Sequence, residues 1–290
     1  MIKGSMVALI TPFINGVVDT KKITELVNWH IENNTSAIVP CGTTGESATL
    51  SHKEHQLVIE TVVAVAAGKI KVIAGTGSNN TDEAIKLTQH AKDSGADAAL
   101  MICPYYNKPT QNGLFEHFKT VAKNVDIPII LYNIASRTGV NFLPQTVAEL
   151  SKINNIVAIK EASGDLSQMA EVIKLSAPGF SVISGDDALT LPLMSIGGTG
   201  IISVVANILP KKTADLVKAC EEGNLKLAQE IHYELFDLVK AMFIETNPVP
   251  VKTAMELMGK CSSEVRLPLF KMDDSNLEIL KKMLKQNNLI

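Results

Sequence analysis

Short apolar runs alternate with longer amphipathic stretches along this chain. The runs are "MVALITPF" (6–13), "AIVPCGTTG" (37–45), "KVIAGTG" (71–77), "AALMICPYY" (98–106), "PIILYNI" (128–134), "IVAIKEAS" (156–163), "SVISGD" (181–186) and "GIISVVAN" (200–207). Each is almost continuously apolar, as expected of parallel strands buried on both faces. Between them the period changes. Ile23, Leu26, Val27, His30 and Ile31 keep the i, i+3, i+4, i+7, i+8 spacing of one helix face. Ser51 and Glu54 form a capping-box pattern at the start of the second helix, Asn80 and Glu83 resemble one at the third, and Gly95 suits a C′ position. Eight strand–helix units in succession predict a (β/α)8 TIM barrel over residues 1–224. From residue 225 the pattern is helical only, which predicts a C-terminal helical extension over 225–290, suited to subunit contacts.

Polar residues gather where the runs end: Thr43 and Thr44, Tyr105 and Tyr106, Tyr132 and Asn133, Lys160 and Glu161, Gly185 and Asp186. In a barrel of this kind those C-terminal ends form the active-site face. Lys160 is the sharpest feature. It follows Ile156–Ile159 directly, so its stem leaves an apolar core. A lysine at a strand end commonly snorkels to solvent. Apolar surroundings, however, disfavour an ammonium, and a neutral amine attacks a carbonyl to form a Schiff base. Such chemistry needs weak acids to move protons, and tyrosine and threonine hydroxyls serve. Glu161 points to the opposite side of the strand, so the sequence names no partner for it.

Composition narrows the classes. The chain has 290 residues, 46% hydrophobic and 20% charged, with a formal net charge of −3. It carries no basic block, which argues against nucleic acid, and no apolar run near the roughly 18 residues of a membrane span. The N-terminal "MIKGSMVALITPF" reads as a strand rather than a signal peptide. Four dispersed cysteines without a CxxC fit reduced thiols in the cytoplasm. "CGTTGESATL" is not a P-loop, "GTGSNN" lacks the last glycine of a dinucleotide fingerprint, and no GxSxG occurs. His52 and His55 lack a third ligand, so no metal is expected.

The motifs "GTTGE", "PYYNKPTQ.G", "YN...RTG", "IKEASGD", "SGDD", "GGTGIISV" and "NPVPVK" together resemble the dihydrodipicolinate synthases. These belong to the pyruvate-dependent class I aldolase and lyase superfamily that also holds N-acetylneuraminate lyase. The resemblance spans nearly the full length. It implies condensation of pyruvate with L-aspartate semialdehyde to 4-hydroxy-tetrahydrodipicolinate, the first committed step of lysine and diaminopimelate biosynthesis, with no cofactor beyond the covalent Schiff base on Lys160. It further implies that Tyr132, Thr43 and Tyr106 form a hydroxyl relay, Tyr106 reaching across a dimer interface. Thr44 would contribute to the pyruvate carboxylate pocket, Arg137 would hold the semialdehyde carboxylate, and Gly185 and Ile202 would line the pocket. One departure is Ala135, where the family commonly has proline, which removes a φ restraint near Arg137.

The resemblance also implies feedback inhibition by L-lysine at Ser47, Ala48, His52, His55, Asn79, Glu83 and Tyr105, and a homotetramer built as a dimer of dimers. The alternatives are a related aldolase for a sugar acid and a non-catalytic, metabolite-binding barrel. Arg137 argues against the first, because a sugar-acid acceptor needs a more neutral rim.

Overall fold

In the computed structural model, which describes residues 2–290, the eight runs become eight parallel strands, each shorter than the apolar stretch that carries it. In chain order the strands are β1 (Gly4–Ala8), β2 (Phe13–Ile14), β3 (Val17–Val18), β4 (Ala37–Val39), β5 (Lys71–Gly75), β6 (Ala98–Ile102), β7 (Ile129–Asn133), β8 (Ile156–Glu161), β9 (Ser181–Ser184) and β10 (Gly200–Ser203). β1 and β4–β10 close into a barrel, with β1 hydrogen-bonded to both β4 and β10. Helices follow the strands, as in other TIM barrels.

β2 and β3 form a small antiparallel hairpin that the eight-run reading did not contain. Its turn is Asn15–Gly16, both at positive φ, the geometry an Asn-Gly pair favours. The first apolar run is therefore two elements, a barrel strand and one arm of this hairpin. The fourth run is also shorter than read: β6 stops at Ile102, so Tyr105 and Tyr106 lie in the loop after it.

Side chains sort by strand alternation. Met6, Ala8, Val39, Ile73, Leu100, Ile130, Tyr132, Ala158, Ile183 and Ile202 fill the barrel interior. The intervening residues, such as Leu131 and Ile159, face outward into the helix layer. The capping box at Ser51 and Glu54 is complete in both directions. At Asn80 only half exists: Asn80 accepts from the Asp82 and Glu83 amides, but the Glu83 carboxylate turns away to Ser78 and His52.

Residues 225–290 form helices Leu225–Ala241, Val249–Leu257 and Asp274–Gln286. Their apolar faces pack into the cluster that covers the outer side of β1, β4 and the helices Thr20–Glu32 and His52–Ala66. The segment thus closes over the loop after β4, and this placement matters for the site. No helix is long and apolar enough to cross a membrane.

Candidate active site

The barrel register brings the central pair together. Ile102, Tyr132, Lys160 and Ile183 are successive partners across β6, β7, β8 and β9. Alternation from Ala158 puts Lys160 inside the barrel. The side chain is buried, and Nζ sits 4.3 Å from the centroid of the Tyr132 ring. Lysine depth depends on Gly185, just after β9. A Cβ there would lie 3.0 Å from Lys160 Cε and 2.7 Å from the Ala162 Cβ. The absence of a side chain at 185 is what leaves the lysine stem its room.

Two spaces flank this pair. A small cleft of about 40 Å³ is walled by Thr43, Thr76, Gly77, Ile102 and Tyr132, among others. A larger cavity of about 490 Å³ at the barrel mouth is walled by Arg137, Ala162, Gly185, Asp186 and Lys240. Arg137 lies on the short helix Ala135–Thr138 and reaches the Asn247 carbonyl at 3.4 Å. The structure therefore collects Lys160, Tyr132, Thr43, Gly185 and Arg137 at one end of the barrel. Ile202 is buried in the interior with Met6 and Ile183.

Thr44 is buried, and its hydroxyl accepts a 3.0 Å hydrogen bond from Asn247 Nδ2. Asn247, between the first two helices of the C-terminal segment, thus ties Thr44 and Arg137 to that segment. Tyr106 behaves differently from the rest: it is 89% exposed, at φ 72°, and walls neither of these two spaces.

The seven residues expected to bind lysine lie together. Ser47, Ala48, His52, His55, Glu83 and Tyr105 wall a cavity of about 480 Å³ beside the barrel mouth. Asn79 stands next to it, its amide donating to the Tyr105 carbonyl at 3.1 Å. His52 Nε2 and Glu83 Oε1 are 2.9 Å apart. The Ser78 hydroxyl first, then His52, hold the Glu83 carboxyl below its ordinary range. His55 is buried and donates Nε2–H to the Gly75 carbonyl at 2.8 Å, leaving Nδ1 without a partner. Burial lowers its pKa, so the ring is held neutral. Thr43, Ser47, Gly75, Gly77 and Ile102 border both this cavity and the small cleft.

Sequence reasoning missed the charges beneath the threonine loop. Glu46 and Lys252 are both fully buried and pair at 2.7 Å, although 206 residues separate them. Lys252 Nζ also donates to the Thr11 carbonyl at 2.9 Å and lies 4.3 Å over the Phe13 ring. The second Glu46 oxygen accepts from the Arg266 amide at 3.1 Å. Both residues sit in motifs quoted for the resemblance, "GTTGE" and "NPVPVK". A single charge at the end of an otherwise neutral motif was the available signal. Among the described residues, no group of three His, Cys, Asp or Glu side chains is placed to hold a metal, and all four cysteines are unpaired.

A parallel barrel with a buried lysine at the C-terminal end of its strands, a tyrosine ring against that lysine and an arginine at the mouth fits the aldolase and lyase class. Residues 1–287 match the dihydrodipicolinate synthetase family. A 4-hydroxy-tetrahydrodipicolinate synthase from Geobacter sp. (strain M21) is 58% identical over 290 residues, covering 100% of both chains. The crystal structure of dihydrodipicolinate synthase from Aquifex aeolicus superposes with a TM-score of 0.98 at 54% identity, over 99% of each chain. That of the enzyme from Cyanidioschyzon merolae with lysine bound superposes at 0.97 with 40% identity, again over 99% of each. The chain belongs to the dihydrodipicolinate synthetase family, and it is an enzyme of the lyase class.

Proposed function

We propose that the chain condenses pyruvate with L-aspartate semialdehyde to give 4-hydroxy-tetrahydrodipicolinate, the entry to lysine and diaminopimelate biosynthesis. The observation that carries this reading is the buried Lys160 held against Tyr132 in a barrel whose mouth presents Arg137. Lys160 Nζ attacks the ketone carbon of pyruvate, and water leaves as the imine forms. The protonated imine draws electrons from the adjacent methyl carbon, which loses a proton and becomes an enamine. That carbon attacks the aldehyde, whose oxygen takes up a proton. The substrate's own amine then displaces Lys160 from the imine carbon, closing the ring and freeing the enzyme.

Tyr132 and Thr43 move the protons, with Tyr106 supplied by a second copy of the chain. Its exposure supports that assignment, because a relay hydroxyl in its own site would be enclosed. Thr44 helps form the carboxylate pocket of pyruvate, and Arg137 holds the semialdehyde carboxylate. Gly185 and Ile202 line the pocket. The reaction needs neither metal nor organic cofactor, because the lysine carries the substrate through every step.

L-Lysine occupies the cavity of Ser47, Ala48, His52, His55, Asn79, Glu83 and Tyr105 and inhibits the enzyme. Glu83, held ionised, suits an ammonium. A homotetramer built as a dimer of dimers, working in the cytoplasm, completes the reading. Turnover of pyruvate with aspartate semialdehyde, assayed with and without millimolar L-lysine, is the test. Activity that falls with lysine is expected. No turnover with the semialdehyde, or cleavage of N-acetylneuraminate instead, contradicts the reaction, and a flat lysine titration contradicts the regulation.

A further inference from the structure

Behind Lys160 and Tyr132, on the outer face of the barrel, lies a closed polar cluster that the reaction itself does not use. Glu161 and Asn133 are the next residues along β8 and β7, paired in register and fully buried. Asn133 Nδ2 donates to both Glu161 oxygens, at 3.0 and 3.2 Å, and to Asn141 Oδ1 at 2.8 Å. The Ser163 amide donates to Glu161 Oε1 at 2.8 Å, and Gln168 Nε2 reaches Oε2 at 3.4 Å. Every named neighbour of the carboxylate is a donor. The cluster continues into the loop that bears Arg137: Asn141 donates to Gln168 Oε1 at 2.7 Å, and the Phe142 amide donates to Asn133 Oδ1 at 3.1 Å.

Three substrate-facing residues are thereby anchored from outside. A strand residue cannot shift without moving its neighbour, whose side chain emerges on the other face, and Asn133 and Glu161 are the last paired residues of their strands. Fixing Asn133 to Glu161 fixes the Tyr132–Lys160 register. Fixing Asn141 and Phe142 to Asn133 holds the far end of the 134–143 loop, where Ala135 supplies no proline restraint of its own. We propose that Glu161, with Asn133 and Asn141, is a positioning cluster that sets the placement of the Schiff-base lysine against its tyrosine and secures the arginine loop.

The proposal rests on the Schiff-base reading and separates from it experimentally. Glu161→Gln keeps the shape but points an amide NH2 at donors. Borohydride trapping with pyruvate, run well below the unfolding temperature, should then show imine formation slowed about 10- to 100-fold, the scale of a small misplacement. kcat should fall with it, and KM for the semialdehyde should change little. Asn133→Asp added to Glu161→Gln returns an acceptor opposite the new amide, and imine formation should recover. Asn141→Ala, in a half-buried loop position, covers the case of a poorly folding strand variant. It should raise KM for the semialdehyde more than it slows the imine. A folded Glu161→Gln enzyme with the wild-type imine rate overturns the proposal, as does an Asn141→Ala enzyme with unchanged kinetics. Absence of an adduct in the wild type overturns both this and the parent reading.

Discussion

At the residue scale the site rests on two lysines with opposite surroundings. Lys160 lies against an aromatic ring with no carboxylate beside it, whereas Lys252 is locked to Glu46. The second is structural. Its charge is offset by one carboxylate, one carbonyl and one ring face, so removing it strands Glu46 in the interior. Lys252→Met should destabilise the protein by about 3–5 kcal/mol in urea unfolding. Adding Glu46→Gln should restore much of the loss, and additive losses would contradict a paired interaction. Lys160 was legible in the sequence because four apolar residues precede it. Lys252 was not, because a lone charge in a helix pattern normally marks a solvated face, and only the fold brings it to Glu46. The side-chain partners of Glu161 were hidden for a related reason: Asn133 comes from β7, and Gln168 from the helix after β8. Tyr106 could be assigned across an interface only through the resemblance; the chain by itself shows an exposed ring.

Among the elements, the turn after β4 carries the most function in the least chain. It delivers Thr43, Thr44 and Glu46 within four residues, and Cys41 and Glu46 both adopt positive φ. β5 must therefore approach it closely. A Cβ at Gly75 would lie 2.2 Å from the Cys41 carbonyl oxygen. Gly75→Ala should displace the turn, costing about 1–3 kcal/mol of stability. A matching loss of about tenfold or more in kcat is expected, since Thr43 moves with the turn. Thermal unfolding and steady-state kinetics on the same preparation check this, and an unchanged kcat would separate the turn from catalysis. The barrel order was readable because buried parallel strands leave continuous apolar runs. Strand ends were not, because apolar residues continue past the last ladder bond, as in "MICPYY". The hairpin was missed although "NG" announced it, since its arms are two residues each and begin where the first run ends. The half-formed cap at Asn80 shows the limit of local pattern: Ser78 and His52 outcompete the Asn80 amide for Glu83.

Over the whole molecule, acid lability follows from histidines held neutral. Burial lowers the pKa of His30 to about 3 and that of His117 to about 4, from 6.5. Each has one ring nitrogen without a partner. Between those values and 6.5 the unfolded chain binds more protons than the folded one. Their contribution therefore falls as pH drops below about 6.5, by at most about 1.4 kcal/mol per unit for each. Burial raises the pKa of Glu161 and Asp187, which acts in the opposite direction. The comparison with His30→Gln isolates the histidine. That variant should lose less stability between pH 7 and pH 5 than the wild type, and equal losses would contradict a neutral His30. Assembly has its own test. If Tyr106 serves the neighbouring site, mixing inactive Tyr106→Phe and Lys160→Ala chains should restore turnover, because the Tyr106→Phe subunit keeps its lysine and receives an intact tyrosine. No recovery on mixing would contradict service to the neighbouring site and place Tyr106 in the site of its own chain. The central claim, a covalent imine on Lys160, is tested most directly by borohydride reduction in the presence of pyruvate followed by peptide mass analysis. The account predicts a reduced pyruvate adduct on the peptide carrying Lys160 and none in Lys160→Ala; an unmodified protein, or an adduct on another lysine, would contradict it.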